Sequence, residues 1–203
     1  MSSKGKVLNS KEGYNLYSST YEKNTAYLNS FEKNIVLEFM GNLTGKKALD
    51  LGCGTGRLVK DLINSGAEVV GIDISDEMIK IMKNKFPKVK SLVADSENLP
   101  FDDSSFDFVI ASFFIVHLKN LTKTFDEIYR VLKDGGKFVL TNINQRKAPK
   151  LDLGSGKKIV IQSYYHRPED VIKALENSFF KIEKEEFVKD GKVWINQIIK
   201  VKK

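Results

Sequence analysis

The sequence is poor in the residues that form disulfides and most metal sites. Cys53 is the single cysteine, and His117 and His166 are the two histidines among 203 residues. One cysteine excludes an intramolecular disulfide, and this small set disfavours a structural zinc site. We therefore expect no bound metal.

Long apolar runs are also missing. No stretch approaches the roughly eighteen apolar residues that span a bilayer, and the start, Met-Ser-Ser-Lys-Gly-Lys, lacks the apolar segment of a secretory signal. With 41% hydrophobic residues, the chain is long enough for one sizeable core. We expect a cytoplasmic protein without a membrane span, folded as one domain over residues 1–203.

The positive charge is unevenly distributed. The net charge is +7; residues 1–141 hold 19 Lys and Arg against 18 Asp and Glu, whereas residues 142–203 hold 14 against 8. Such a surplus can bind nucleic acid or another acidic partner. The lysines are scattered among glutamates rather than arranged in a stripe, which favours a solvated surface.

Short apolar runs alternate with helical patterns from residue 47 to about residue 142, which predicts a parallel sheet with helices on both faces. The predicted strands are Lys47–Leu51, Glu68–Asp73, Val89–Ala94, Phe106–Ser112 and Lys137–Asn142. The predicted helices are Arg57–Asn64, Ser75–Phe86 and Leu121–Leu132, the last closed by Gly135-Gly136, with another over Arg167–Asn177. The pair Asp190-Gly191 between two strand-like runs predicts a C-terminal antiparallel hairpin. The first 40 residues are predicted to be helical after Tyr21.

A glycine-rich loop, Gly52-Cys53-Gly54-Thr55-Gly56, follows the first of these strands. Glycines permit positive φ and close approach to a ligand, and the helix beyond offers unpaired N–H groups to an electronegative ligand. A phosphate loop would need Gly-Lys-Ser/Thr, and the third glycine comes one residue too early for the dinucleotide fingerprint. The loop alone therefore indicates a nucleotide-like ligand, and its spacing disfavours a phosphate loop and NAD.

The segment Asp50-Leu51-Gly52-Cys53-Gly54-Thr55-Gly56 resembles the signature loop of the class I, seven-strand S-adenosyl-L-methionine-dependent methyltransferases, and the resemblance continues along most of the chain. The small-molecule enzymes related to quinone biosynthesis are the most similar subgroup. The resemblance implies a doubly wound, mostly parallel seven-stranded sheet with a C-terminal antiparallel hairpin, and S-adenosyl-L-methionine as cofactor, with S-adenosyl-L-homocysteine as product. It implies a helical cover at 1–45, a cofactor-binding core at 46–142 and an acceptor-side loop, helix and hairpin at 143–203.

Carboxylates at the ends of the next strands complete the expected cofactor site. Asp73 can accept hydrogen bonds from both ribose hydroxyls, which is the role of the matching acid in the family. The resemblance places Ile74 over the adenine, Asp95 against its amino group and the N–H of Ser96 at a ring nitrogen. The remaining expected cofactor contacts lie around the methionine end and the loop: Asp50, Gly52, Cys53, Gly54, Gly56 and Ala111.

The acceptor side is less defined by the sequence. His117, after the fourth predicted strand, is the candidate general base or acceptor-orienting residue, with a packed histidine as the alternative. Tyr14, Tyr17 and Tyr21 resemble the family's cover over cofactor and acceptor, although they could equally pack a helix onto the sheet. Arg167 follows a connection of roughly twenty residues and could face an acidic acceptor.

These features predict an enzyme that methylates a small molecule by in-line displacement. The sequence after the fourth strand, Ser112-Phe113-Phe114-Ile115, lacks the Asn/Asp-Pro-Pro-Tyr/Phe motif of nucleic-acid amino methylation. Two alternatives stay open: an RNA or protein methyltransferase that uses the basic C-terminal third, and a non-catalytic module that binds S-adenosylmethionine.

Overall fold

A seven-stranded sheet forms the centre of the computed structural model, which describes residues 6–154 and 156–203. In space its strands run in the order β4-β3-β2-β5-β6-β10-β9. The strands are β2 Lys47–Leu51, β3 Glu68–Asp73, β4 Lys90–Val93, β5 Phe106–Ala111, β6 Leu132–Ile143, β9 Lys181–Asp190 and β10 Val193–Lys202. The first five are parallel, and β10 pairs antiparallel with both β6 and β9. The predicted fold class and C-terminal hairpin are confirmed.

Helices cover both faces of this sheet. They are α1 Ser10–Tyr21, α2 Thr25–Ser30, α3 Lys33–Met40, α4 Val59–Asn64, α5 Asp76–Lys85, α6 Thr122–Val131 and α7 Pro168–Asn177, with short 3₁₀ turns at Glu22–Asn24 and Ile115–His117. On one face, α6 and α7 bury apolar side chains such as Phe125 and Leu175. On the other, α3, α4 and α5 bury Phe39, Leu62 and Met82. Within the described residues, no helix is long and apolar enough to cross a membrane.

The order of the strands determines where a ligand can bind. The chain enters this sheet in the middle at β2, runs outward through β3 to β4, and then crosses back to β5 on the other side of β2. The loops after β2 and β5 therefore diverge at the carboxyl edge of the sheet, which is the usual place for a ligand crevice in such folds.

The glycine pair was expected to close the third predicted helix, and this expectation is wrong. Helix α6 ends at Val131, where the N–H groups of Ser104 and Ser105 donate to the carbonyls of Arg130 and Val131 at 2.9 and 2.8 Å. A tertiary contact thus replaces the glycine cap. Gly135-Gly136 lies inside β6, in an irregular stretch where Phe106 pairs with Leu132 and Phe108 with Lys137.

The N-terminal part and the connection after β6 also differ from expectation. Helix α1 begins at Ser10 rather than after Tyr21, because the side chain of Asn9 caps it by accepting the N–H of Glu12 at 2.9 Å. The supposed loop after β6 contains two strands, β7 Lys150–Asp152 and β8 Lys158–Ile161. With β1, Lys6–Leu8, which runs parallel to β8, they form a second, three-stranded sheet.

Candidate active site

A cavity of about 940 Å³ lies at the carboxyl edge of the large sheet. One side, here called the loop wall, consists of the loops after β2, β3, β4 and β5. The other side, here called the cover, consists of α1, the following 3₁₀ turn, α2 with Phe31 and Glu32, and the three-stranded sheet. Ten of the residues expected from the sequence line this cavity: Tyr14, Tyr17, Tyr21, Gly52, Gly54, Asp73, Ile74, Asp95, Ser96 and His117.

The glycine loop lies against the backbone of the neighbouring strand. The N–H groups of Gly52 and Cys53 both donate to the carbonyl of Ile72 at 2.9 Å, which fixes the turn. Gly52 has a φ of +71°, and a Cβ there would lie 2.4 Å from Cδ2 of Phe114. A side chain at this position would thus fill the space beside an aromatic residue of the cavity. The loop wall is shaped here by the absence of side chains.

Asp73 is tied to the same loop. Its Oδ2 accepts the N–H of Gly54 at 2.9 Å, and its Oδ1 accepts the N–H of Ser75 at 2.8 Å. Burial raises the pKa of this carboxyl, and the backbone N–H groups oppose the rise. Each carboxylate oxygen keeps a further lone pair for a ligand hydroxyl. Asp95 is exposed, and its Oδ1 accepts the N–H of Glu97 at 2.9 Å.

Four of the expected cofactor residues are not among those that line the cavity: Asp50, Cys53, Gly56 and Ala111. Cys53 is buried with its Sγ 3.1 Å from Sδ of Met82, and burial raises the pKa of its thiol well above the ordinary value. Oδ2 of Asp50 is buried without a hydrogen-bond partner. Burial raises the pKa of this carboxyl to about 7; nearby Arg57 opposes the rise, and Asp73 adds to it. Asp50 therefore supports the loop wall from behind.

The three tyrosines of α1 belong to the cover. Their rings meet edge to face, with centroids 6.2 Å apart for Tyr14 and Tyr21 and 6.0 Å apart for Tyr17 and Tyr21. The hydroxyl of Tyr14 lies 2.7 Å from Nε2 of His117, and Nδ1 of His117 lies 3.1 Å from the carbonyl oxygen of Gln162. Burial lowers the pKa of His117 and raises that of Tyr14 well above its ordinary value. Both side chains are therefore neutral at pH 7.

Polar contacts between side chains join the cover to the loop wall, and sequence reasoning missed them. Glu32 accepts hydrogen bonds from Arg57, which follows the glycine loop, and from Ser112 at the tip of β5. Arg57 also donates to Asn29 at 2.9 Å and lies over the ring of Phe113. Two further contacts join the same parts: Thr55 donates to Glu22, and Ser75 donates to Asn15 at 2.6 Å. No local motif marks these partners, because each pair joins segments at least 25 residues apart.

Arg167 does not face the cavity. It precedes α7 as the N-cap residue, is exposed, and is not among the cavity-lining residues. The cationic residues that do line the cavity are Lys23 and Lys150, both exposed. Many further lining residues that the sequence did not single out are aromatic or aliphatic, among them Tyr27, Leu28, Phe31, Phe113, Phe114, Val116, Leu118 and Leu151, and others are polar, such as Asn24, Gln145 and Asp152.

The fold and the cavity define a Rossmann-like protein with a large cavity at its topological switch point, where such folds bind ligands. Comparisons with known proteins specify this class further. Residues 49–140 match a family model described as a methyltransferase domain. A solved structure of a Pyrococcus horikoshii protein superposes with a TM-score of 0.77 at 24% identity, covering 95% of this chain and 98% of that one.

Two further proteins are similar to this chain in sequence. An uncharacterized protein of Methanocaldococcus jannaschii is 40% identical over 136 residues, covering 66% of this chain and 51% of the relative. The demethylmenaquinone methyltransferase of Paenarthrobacter aurescens is 34% identical over 117 residues, covering 58% of this chain and 46% of the relative. The chain thus spans about half the length of these relatives. Residues 49–140 thus match the methyltransferase domain family, and the chain resembles the class I S-adenosyl-L-methionine-dependent methyltransferases, the quinone-biosynthesis enzymes among them.

Proposed function

We propose that this chain binds S-adenosyl-L-methionine against the loop wall and transfers its methyl group to a small-molecule acceptor held under the cover. The observation that carries the proposal is the contrast within one cavity, where glycines and carboxylates face an aromatic surface. The first surface suits a nucleoside with hydroxyl and amino groups, and the second suits an apolar or aromatic acceptor.

The residues present fit this cofactor. Asp73 would accept the ribose hydroxyls, Ile74 would cover the adenine, and Asp95 with the N–H of Ser96 would contact its polar edge. The absent Cβ of Gly52 lets the ring of Phe114 pack against the loop backbone, and a Cβ at Gly54 would lie 3.8 Å from the ring of Tyr21. The other expected contributors stand behind or beside this surface and would support the methionine end: Asp50, Cys53, Gly56 and Ala111.

When bound, the cofactor supplies a methyl group on a positively charged sulfur. The contribution of the chain is alignment and exclusion of water, which can account for most of the acceleration in a displacement reaction. The cover is suited to both, since it brings Tyr14, Tyr17 and Tyr21 over the cavity and is joined to the loop wall by polar contacts, of which the Arg57–Glu32 pair is buried. His117 stands at the acceptor side of this arrangement.

The name of the Paenarthrobacter relative, demethylmenaquinone methyltransferase, supports an apolar small-molecule acceptor. The apolar residues on the acceptor side, among them Phe31, Val116 and Leu151, are consistent with such a molecule. No role in catalysis is proposed for Arg167.

Titration calorimetry tests the cofactor half of the proposal. Wild-type protein should bind S-adenosylmethionine and S-adenosylhomocysteine, and Asp73→Ala should weaken both by about 100-fold, because two charge-assisted hydrogen bonds are lost. Asp76→Ala is the matched control, since Asp76 lies three residues away with its side chain 54% exposed. Absence of heat with the wild type would overturn the proposal.

A turnover screen tests the acceptor half. Metabolite pools are incubated with methyl-labelled cofactor, and label should appear in small apolar products. Label found only in RNA or protein, with binding that weakens steeply as salt rises, would favour the alternative that uses the basic C-terminal third.

A further inference from the structure

The hydrogen bonds of His117 determine which of its nitrogens carries the proton. A carbonyl oxygen can only accept, so the contact with Gln162 at 3.1 Å requires the proton on Nδ1. In the neutral ring Nε2 is then an acceptor, and the hydroxyl of Tyr14 donates to it at 2.7 Å. The basic nitrogen of His117 is thus already occupied by Tyr14.

This hydrogen bond determines which side chain can contact the acceptor. A general base must lie within hydrogen-bond reach of the proton it removes, and Tyr14 stands in front of Nε2. The oxygen of Tyr14 donates its own proton to His117 and keeps lone pairs that can accept another hydrogen bond. Tyr14 and His117 both line the cavity.

Resting on the proposed function, we infer that Tyr14 and His117 form a proton relay for acceptors methylated at a hydroxyl group, with Tyr14 as the residue that contacts the acceptor. The acceptor oxygen forms a bond to the methyl carbon, and the bond from that carbon to sulfur breaks with its electron pair going to sulfur. The hydroxyl proton passes to the oxygen of Tyr14 while the phenolic proton of Tyr14 passes to Nε2 of His117. The acceptor becomes a methyl ether, and His117 becomes an imidazolium.

The relay keeps the charge of the buried site constant. One positive charge is present on sulfur before the transfer, and one is present on His117 afterwards. The carbonyl oxygen of Gln162 stabilises that charge by accepting a hydrogen bond from the N–H group at Nδ1, and Asp73 lies near enough to Tyr14 to affect its pKa. A buried neutral imidazole is suited to receive a proton only while another positive charge is lost.

Nitrogen-15 NMR of histidine-labelled protein tests the geometry without any acceptor. The chain has two histidines, and they should show opposite tautomers. His117 should carry its proton on Nδ1. His166 should carry it on Nε2, because that atom lies 3.1 and 2.9 Å from the carbonyl oxygens of Ile115 and Leu118. Tyr14→Phe should shift the Nε2 signal of His117 and leave His166 unchanged. A proton on Nε2 of His117 overturns the relay.

Two probe acceptors test the chemistry. Catechol must lose a proton when it is methylated, whereas iodide carries none. Tyr14→Phe should slow transfer to catechol by about 100-fold or more and change transfer to iodide by less than about threefold. Tyr129→Phe is the control, since it removes a hydroxyl from a ring that is not among the cavity-lining residues and leaves the Tyr14–His117 contact in place.

Equal slowing with both probes would show that Tyr14 only packs the cavity, and would overturn the relay. Failure of the wild-type protein to bind the cofactor would be a separate result. It would count against the proposed function, while the NMR tautomers would still decide the geometry of the relay.

Discussion

The loop wall and the cover of the cavity are built from different kinds of chemical groups. The loop wall relies on backbone N–H groups, glycines and carboxylates within a few residues of each strand end, such as Gly52, Gly54 and Asp73. The cover relies on large side chains and on contacts between distant segments. Tyr14 and His117 are 103 residues apart, and β1 pairs with β8 across more than 150 residues.

Because of this difference, the two walls should be sensitive to different substitutions. The loop wall has little free space, so added atoms should damage it. The cover is held to the loop wall by a few polar contacts, so removal of a partner should loosen it. The most buried of these is the pair of Arg57 and Glu32, whose side chains are 7% and 0% exposed.

The largest effect is expected from breaking that pair. Arg57→Met leaves the Glu32 carboxylate buried without its cation, and this should lower the free energy of unfolding by about 3–5 kcal/mol. Urea unfolding measures the change. The double variant with Glu32→Gln should recover a large part of the loss, because no charge then remains to be buried.

Lys11→Met is the matched control for burial. Lys11 of the cover lies 3.1 Å from Asp76 of α5, but both side chains are about half exposed. Its loss should cost less than about 1 kcal/mol. If the two single variants lost the same stability, burial would not be what distinguishes the contacts between the two walls.

A second effect concerns Asp50, behind the loop wall. Its pKa is raised from the ordinary 3.8 to about 7, chiefly by burial. The folded state therefore binds a proton that the unfolded state has released between those values, so stability should fall as the pH rises from about 4 to about 7. Asp50→Asn removes this dependence, and its advantage over the wild type at pH 8 should be about 2–4 kcal/mol.

Thermal or urea unfolding of both proteins at pH 5 and pH 8 measures that difference, and the comparison cancels the other titrating groups. A variant that is less stable than the wild type by the same amount at both pH values would mean that Asp50 is ionised and satisfied in the fold. The unpartnered Oδ2 predicts the opposite.

The same contrast explains what could be predicted from the sequence. The strands of the large sheet, the glycine loop and Asp73 followed from patterns a few residues long, because parallel strands bring their carboxyl ends together. The prediction that Gly135-Gly136 ends helix α6 is wrong, because the end of this helix is capped by Ser104 and Ser105, which belong to a distant segment. The pairing of β1 with β8 and the contact of Tyr14 with His117 join segments more than 100 residues apart, which no local pattern encodes.

The smallest change to the loop wall is the addition of one carbon atom at Gly52. Gly52→Ala places a Cβ 2.4 Å from Phe114 and strains a φ of +71°, so Phe114 must move into the cavity. Binding of S-adenosylmethionine should weaken by about 30-fold, which corresponds to about 2 kcal/mol. Gly45→Ala separates the two causes, since Gly45 has a φ of +70° and nothing within 4 Å of its Cβ position. It should lose about 1 kcal/mol of stability from strain and keep its affinity. Equal losses of affinity in both variants would mean that backbone strain, rather than the space beside Phe114, governs cofactor binding.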